Sequence, residues 1–525
     1  MQQIRKIAII ILPLIVIFSF VVVVNLAGVD FGYQWEQKNM TGFVNQYLRT
    51  GSLLPGWYNY PPMVTYVELS ATIPYAVPYV LHHGFDLRQL RQYLLDDVVK
   101  ANFDAFVLNI RKVFVGVTAL ALVWEYLGVY AVNKRAPEAF FAAAFLGLSW
   151  ELTYQARWIA PHTVMMQFGA LTVMFIMLAM TREKNKKLWI ILAGVAAGLA
   201  TATKYPAGLL LLPVGAAAFF VTKEGGLFNR SRILLFLGIG LAFVAAYLLV
   251  APGTLLEFDA FMSAIRYEMT HYSKGHGQQT VVGGWPHLIL ELNYFARVLF
   301  SAFQPLAVLI FSMSLVGMYA YLRENRDLGI TLVSFPVVYV AYFSLQNVMF
   351  VSNMVLIMPF LAVFAARGVM YIFMLIPVQP ARFAWIGLFA IVVIVNSGWL
   401  VYTVGTLQDR NTDRFVKEFV AFVDAAPEET FYVTEQVKEA VTAVDGQTRK
   451  NISTELSSEV DWVVFYFYED MRNPGYWPVN KPGIAPKAFG PLDINLDYYA
   501  SWQGDDRILL TTVEHARRIG VIFNQ

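Results

Sequence analysis

Long apolar stretches alternate with short polar ones over the first 405 residues of the chain. The apolar stretches run for about 17 to 25 residues, the length that carries an α-helix across the hydrocarbon core of a bilayer. The pattern therefore predicts a polytopic α-helical membrane protein with about eleven transmembrane helices. The predicted spans are 6–28, 106–132, 137–153, 160–180, 187–203, 206–222, 233–251, 303–322, 329–347, 354–376 and 383–405.

Basic residues in the connections between spans predict the orientation. Under eleven crossings every basic cluster falls on one side of the membrane, which the positive-inside rule identifies as the cytoplasmic side. Arg5 and Lys6 precede the first span, which is too long for a signal peptide and is predicted to be an uncleaved anchor. We therefore expect a protein of the cell (inner) membrane with a cytoplasmic N-terminus. The basic clusters are Lys134 with Arg135, 181–187, 222–232, 322–326 and Arg382.

Three large pieces of the chain then lie on the outer face: the loops 29–105 and 252–302, and the tail 406–525. The tail begins with a helical pattern and continues with strand-like stretches, which predicts a small soluble α/β domain. A tail of about 120 residues is long enough to bury a core of its own. We expect a transmembrane domain over 1–405 and an extracytoplasmic α/β domain over 406–525.

Composition narrows the classes of function. Of 525 residues, 57% are hydrophobic and 14% are charged, whereas about 25% of the residues of a soluble domain are charged. The net charge of +2 suggests no nucleic-acid partner, and the lack of cysteine excludes disulfides, thiolate metal sites and cysteine nucleophiles. The sequence has no Walker loop. A reaction on the outer face must therefore bring its own activated substrate, and a lipid-linked phosphate donor meets that need.

Two carboxylates, Asp30 and Glu36, follow the first span where the membrane meets water. A carboxylate at the mouth of a membrane cavity can accept a proton from an attacking hydroxyl. The alternative is a solvated acid at the end of a helix, and Glu36 is the weaker candidate of the two. The same loop continues into a turn-rich aromatic segment that contains Tyr60.

A second polar cluster, "SWELTYQARWIAPHT" at 149–163, lies at an outer connection between spans. On a helix, Glu151, Tyr154 and Arg157 follow one another at intervals of three and share a face, and His162 comes shortly after them. Ionisable groups are costly at a membrane face, so a functional role is favoured by default. An Arg–Glu pair that closes the loop explains the same residues equally well.

Two further clusters complete the candidate site. Lys204 and Tyr205 form the outer tip of a tight turn, where a lysine can bind a phosphate or extend to headgroups. The segment 258–279 predicts a helix that ends at glycines and that either covers a cavity as a lid or lies along the interface. It carries Arg266, Glu268, His271 and His276. No cofactor is firmly implied, although a divalent metal near His162 or His271 is an open alternative.

At these clusters the chain resembles the GT-C superfamily of glycosyltransferases, in the branch of the protein O-mannosyltransferases and the lipid A aminoarabinose transferase. The resemblance covers most of the chain and depends on the order of its motifs. They are the aspartate of the first outer loop, "YPPM", "YQARWIAP", "GLATATKYPAGLLLLP", "IRYEMTHYSKGHG" and "NMVLIMPFLAVFAARG".

The resemblance implies a polyprenyl-phosphate sugar donor, an outer active site within residues 1–405 and an inverting transfer to a lipid, glycan or protein acceptor. Asp30 matches the catalytic carboxylate of the family and Lys204 matches a lysine near the donor phosphate. Relatives often have an arginine just before Asn353, where this chain has Ser352, and Arg266 or Arg157 could replace it. Tyr60, Glu36, Asn353 and the remaining polar residues of the clusters are expected to contact substrate.

Two other classes remain open from the residues alone. A transporter would place polar residues and broken helices at the middle of the membrane. Here the acids and histidines gather at outer ends, with Glu125 as the main exception. A non-catalytic membrane scaffold whose tail binds partners is the other alternative, and it would tolerate the loss of Asp30.

Overall fold

The computed structural model describes the chain at residues 2–27, 29, 35–52, 54–222, 229–275, 280–408, 412–435, 437–438, 441–442, 446–457, 459–466, 487–489 and 508–514. Asp30 and His276 lie outside these residues. Glu36 belongs to a described helix, but its side chain is outside the description.

Eight stretches of helix in the described residues are long and apolar enough to cross a membrane, as expected for an integral membrane protein. They are formed by α1 (Gln2–Ala27), α6 (Phe103–Asn133), α9 (Pro161–Thr181), α12 (Arg230–Val250), α16 (Gln304–Glu324), α17 (Arg326–Ser344), α18 (Met358–Leu375) with the 3₁₀ turn Val351–Ile357 before it, and α19 (Gln379–Gln408).

Three shorter helices coincide with the other predicted spans. They are α7 (Ala136–Gly147), α10 (Lys186–Thr201) and α11 (Leu211–Val221), which continues the 3₁₀ turn Tyr205–Leu210. All eleven predicted spans therefore overlap helical residues. The number of membrane crossings stays a prediction.

The predicted span 137–153 was wrong as a single helix. The first helix ends at Gly147, and α8 (Trp150–Ala156) begins after Ser149. The Ser149 hydroxyl accepts from the Leu152 backbone N–H and donates to the carbonyl of Leu299 at 2.5 Å. A serine in this position satisfies an orphan N–H group at the start of a new helix. The first half of the polar cluster of 149–163 consequently lies on a short helix of its own, whereas His162 belongs to the first turn of α9.

The two predicted outer loops are also helical. The first holds α2 (Trp35–Thr50), α3 (Met63–Ser70), α4 (Ile73–His83), α5 (Leu87–Tyr93) and a π-helical turn, Leu94–Lys100. The second holds α13 (Gly253–Leu256), α14 (Phe258–Lys274) and α15 (Trp285–Arg297). The end of α14 at Gly275, which has φ of 104°, confirms the helix predicted there.

The stretch Val351–Leu375 forms the centre of the bundle, and 94% of the residues in its most apolar part are buried. It packs closely against α16 because Gly317 and Gly368 face each other's helices. A Cβ added at Gly317 would collide with the backbone of Phe364, so only glycine permits this approach. This central packing fixes the 3₁₀ turn that carries Asn353.

The tail begins with α20 (Thr412–Ala425), as its periodicity predicts. Five strands follow: β1 (Phe431–Val433), β2 (Ile452–Ser453), β3 (Trp462–Tyr466), β4 (Lys487–Phe489) and β5 (Ile508–Thr512). They form one sheet in the order β2-β1-β3-β5-β4. β1 runs parallel to β2 and β3, whereas β5 runs antiparallel to β3 and β4. The solubility and outer placement of this tail stay predictions.

Candidate active site

Lys204 lies at the meeting point of four separate segments of the chain. It is 6% exposed, and its Nζ donates to Oδ1 of Asn353 at 2.6 Å. The same Nζ lies 5.6 Å from the centre of the Tyr60 ring, within the range of a cation–π contact. Lys204 is therefore a buried cation held between an amide oxygen and an aromatic face.

Aromatic side chains of α14 and α17 hold Asn353 in place. Its Nδ2 donates to the Tyr272 hydroxyl at 3.1 Å, and its backbone carbonyl accepts from the Tyr339 hydroxyl at 2.9 Å. The ring of His271 stacks on Tyr272 with centroids 5.5 Å apart. Burial, together with the positive charge of Lys204, lowers the pKa of His271, so this imidazole is neutral at neutral pH.

The first outer loop is tied to the same cluster by its own polar groups. The Tyr58 hydroxyl donates to Glu257 at 2.5 Å, and the Tyr205 hydroxyl donates to the Tyr58 carbonyl at 2.6 Å. One residue further, Asn59 donates to Glu268 at 2.8 Å. These bonds join the loop to α14 and to the turn after Lys204. The helix predicted as a lid is thus fastened to the first loop.

Two buried arginines hold the chain just before Asp30. Arg111 donates through Nη1 to the carbonyl of Val29 at 3.0 Å. Arg157 is fully buried, and it donates to the carbonyls of Asn25 and Val24, each at 3.4 Å. Among the described residues its Nη1 has no hydrogen-bond partner, and burial lowers the pKa of Arg157 to about 9. A cationic group with an unused donor therefore lies beside the end of α1.

The remaining residues of the 149–163 cluster are buried nearby. Glu151 accepts from Tyr294 at 2.5 Å and from Gln155 at 2.9 Å. Arg157 forms no ion pair with it, which removes the interpretation of the cluster as an Arg–Glu pair that closes a loop. Tyr154 packs its ring against Trp158 at 5.0 Å between centroids, and His162 is 4% exposed at the start of α9.

The 3₁₀ turn Val351–Ile357 contacts both regions, because its Asn353 accepts from Lys204 and the turn packs against α8 and α9. Arg266, in contrast, is exposed on α14 and bonds with neither cluster. Arg157, unlike Arg266, is buried and hydrogen-bonded to the end of α1.

Sequence reasoning missed several residues of this region: Arg111, Tyr58, Glu257, Tyr272 and Tyr339. Arg111 is followed by the exposed Lys112, so the linear pattern shows only two basic residues at the start of a span. Tyr272 directly follows His271 in the motif "IRYEMTHYSKGHG", and this neighbouring position was the signal that could have identified it. Within the described ranges, no three His, Asp or Glu side chains are grouped so that they could hold a metal ion.

Comparisons with known proteins agree with this architecture. A family model described as dolichyl-phosphate-mannose-protein mannosyltransferase matches residues 98–250, which include α6 to α12 and therefore Arg111, Arg157 and Lys204. None of the curated proteins matches the sequence.

Among solved structures, apo ArnT from Cupriavidus metallidurans has the same fold. The TM-score is 0.50 at 10% identity, and the similarity covers 97% of this chain and 99% of ArnT. The same enzyme bound to undecaprenyl phosphate gives a TM-score of 0.45 at 11% identity over the same shares of both chains. The archaeal oligosaccharyltransferase AglB from Archaeoglobus fulgidus gives 0.46 at 12% identity over 86% of this chain and 69% of AglB.

Over residues 98–250 the chain is therefore similar to the dolichyl-phosphate-mannose-protein mannosyltransferase family, and its fold is similar to that of ArnT.

Proposed function

We propose that this protein is a membrane glycosyltransferase that moves a sugar from a polyprenyl-phosphate donor to an acceptor, with inversion, at the outer face of the membrane. The donor class is supported by the family model over residues 98–250, whose description names dolichyl-phosphate-mannose as the donor.

The observation that carries the proposal is the buried cation at Lys204. It is fixed by Asn353 and Tyr60 at the junction of the first outer loop, α14 and the central 3₁₀ turn. A lysine ammonium binds a phosphate as a point charge. In this proposal the phosphate of a lipid-linked sugar meets Lys204 while its lipid chain stays among the apolar helices.

The reaction then needs few groups from the protein. An acceptor hydroxyl attacks the anomeric carbon of the sugar, and the bond between that carbon and the donor phosphate oxygen breaks on the opposite face. The hydroxyl proton passes to Asp30, and the phosphate leaves with the lipid. The departing phosphate gains charge in the transition state, which Lys204 and Arg157 are placed to stabilise. A phosphate leaves readily, so no second carboxylic acid is required.

The assignment of Asp30 as the base is supported by the hydrogen bonds that fix the residues just before it. The carbonyl of Val29, the residue before it, is fixed by Arg111, and the end of α1 is fixed by Arg157. A general base must reach the proton within hydrogen-bond distance, so a rigid approach is useful to catalysis. Those two arginines give the chain that rigidity.

The test is an incubation of the purified protein with a panel of polyprenyl-phosphate sugars, followed by mass spectrometry of lipid, glycan and protein acceptors. We expect a mass increase of one sugar on one acceptor class, and its loss in Lys204→Gln. Transport of a donor across vesicles without any product would instead indicate a transporter. No product and no transport with any donor would contradict the proposal and leave the scaffold.

A further inference from the structure

A second cationic site lies at the other end of the bundle. It is a cavity of about 820 Å³ between α1, the connection from α6 to α7, α18 and α19. Its basic residues are Lys134, Arg135 and Arg382, and its apolar wall consists of Ile10, Met370, Phe373, Phe383 and Ile386.

The position of this cavity separates it from the candidate active site. Ile10 precedes Asn25 by fifteen residues on α1, which corresponds to about 22 Å along a helix. Met370 and Phe373 likewise lie near the far end of α18 from Asn353. None of the residues that line the cavity belongs to the Lys204 or Arg157 clusters.

In the described residues, the cations of this cavity bond with carbonyl oxygens and a sulfur rather than with carboxylates. Lys134 donates to the carbonyl of Ala131 at 2.7 Å, Arg382 donates to the carbonyl of Ile376 at 2.6 Å, and Arg135 contacts the sulfur of Met374. Within the described part of the chain, none of the three forms an ion pair.

The neighbouring acid is Glu138, near the start of α7. It is fully buried and accepts from Arg367 and Asn133, and the positive charge of Arg135 also acts on it, although the two form no ion pair. Arg182 is a further positive charge close to Lys134. Burial lowers the pKa of Lys134 most, and the charge of Arg182 lowers it further. Among the residues that the structure describes, the cavity therefore combines several positive charges with no acid that forms an ion pair with Lys134, Arg135 or Arg382.

The apolar part of the wall points to the source of the anion. Phe383 is 67% exposed on α19, and the adjoining surface of α1 exposes Ile11, Leu12 and Ile15. These surfaces are the ones that membrane-spanning helices present to lipid chains. A free phosphate would use the cations alone, whereas a phospholipid would use both the cations and the apolar wall.

We propose that this cavity is a binding site for the headgroup of an anionic phospholipid, whose acyl chains lie along α1 and α19. Arginine and lysine at the ends of membrane helices bind lipid phosphates in this way. Lys134 is held at φ of 53°, a left-handed conformation that ends α6 and places Arg135 at the start of α7. The turn between these helices therefore forms the basic side of the site.

The experiment is a lipid titration of the purified full-length protein in detergent. Phosphatidylglycerol and phosphatidylcholine with identical acyl chains are added, and bound lipid is counted by native mass spectrometry while the melting temperature is followed. We expect retention of phosphatidylglycerol and a rise in melting temperature with it alone. Glycerol phosphate and inorganic phosphate, added in excess, should neither raise the melting temperature nor displace the lipid.

Charge-removing variants locate the site. Arg135→Gln with Arg382→Gln should weaken phosphatidylglycerol binding by about fivefold for each cation removed. The matched control, Lys184→Gln with Arg230→Gln, removes two exposed cations that do not line the cavity and should bind normally. Equal retention of the two lipids by the wild type would overturn the proposal. This comparison uses the wild-type protein alone, so it does not depend on whether a variant folds. Equal loss of binding in both double variants, or full competition by inorganic phosphate, would also overturn it.

Discussion

Lys204 and Asn353 are 149 positions apart in the sequence, yet the ammonium of one donates to the amide oxygen of the other at 2.6 Å. The contact joins the turn after α10 to the 3₁₀ turn before α18. Asn353 is itself held by Tyr272 and Tyr339, so the lysine is fixed by residues from two further helices. A cation held in one position from several sides is suited to meet a phosphate without reorganisation.

Replacement of Lys204 by alanine should weaken binding of the donor more than binding of the acceptor. A charge-assisted contact with a phosphate contributes about 1.5–3 kcal/mol, which is roughly a 10- to 150-fold increase in the dissociation constant. Lys274→Ala is the control, because it removes an exposed lysine at the end of α14. Affinity for polyprenyl phosphate is measured for both variants, and an unchanged value in Lys204→Ala would remove this residue from the donor site.

The sequence predicted the elements of this region but not their contacts. Hydrophobic periodicity located α14, α20 and the strands β1, β3 and β5, because each has a local pattern. The break before α8 was missed, since the apolar run continues through Leu148 and a single capping serine decides where the helix ends.

Tertiary contacts explain the rest of what was missed. The role of Arg111 depends on the carbonyl of Val29, which lies 82 positions away. The pairing of Tyr58 with Glu257 likewise spans 199 positions. No spacing rule for one helix or one strand detects such pairs. The resemblance to a known family identified Lys204 and Arg157 as candidates because they stand inside ordered motifs, whereas Arg111 stands in an ordinary apolar run.

A buried acid–imidazole pair outside the Lys204 cluster predicts how stability depends on pH. His287 and Glu291 are both fully buried on α15, with Nε2 and Oε1 3.6 Å apart. Burial raises the pKa of Glu291 to about 8 and lowers that of His287, so both are neutral at pH 7. A raised folded-state pKa means that this carboxyl favours the folded state below its unfolded pKa of 4.5. That contribution is lost as the pH rises towards 8.

Glu291→Gln should therefore melt at a higher temperature than the wild type at pH 8, and the difference should shrink towards pH 5. An unpaired buried charge costs about 1–3 kcal/mol or more, and the amide avoids it. The melting temperature in detergent is measured from pH 5 to pH 9 for both proteins. A difference that is constant over this range would contradict the assignment of the shift to Glu291.

The predicted orientation of the chain determines which introduced cysteines an impermeant reagent should reach. Lys184 is exposed in the connection from α9 to α10, and Glu514 is exposed after β5 in the tail. The native chain has no cysteine, so Lys184→Cys and Glu514→Cys each introduce a single target. In right-side-out vesicles we expect labelling at 514 and protection at 184 until the membrane is opened. The reverse pattern would invert the topology and move the candidate site to the cytoplasmic side.

The sharpest prediction concerns Asp30, which lies outside the described residues and directly follows the buried Val29. Asp30→Asn should fold normally and lose about 10²- to 10⁴-fold in transfer rate, because the amide cannot accept the proton of the attacking hydroxyl. Glu36→Gln is the matched control, since it removes a neighbouring carboxylate of the same loop and should cost much less.

A structural role for Asp30 predicts the opposite result, with a lowered melting temperature and near-normal transfer by the protein that remains folded. Melting temperature and transfer rate measured on one preparation separate the two, and transfer by Asp30→Asn within about threefold of the wild type, far short of a general-base effect, would exclude Asp30 as the base.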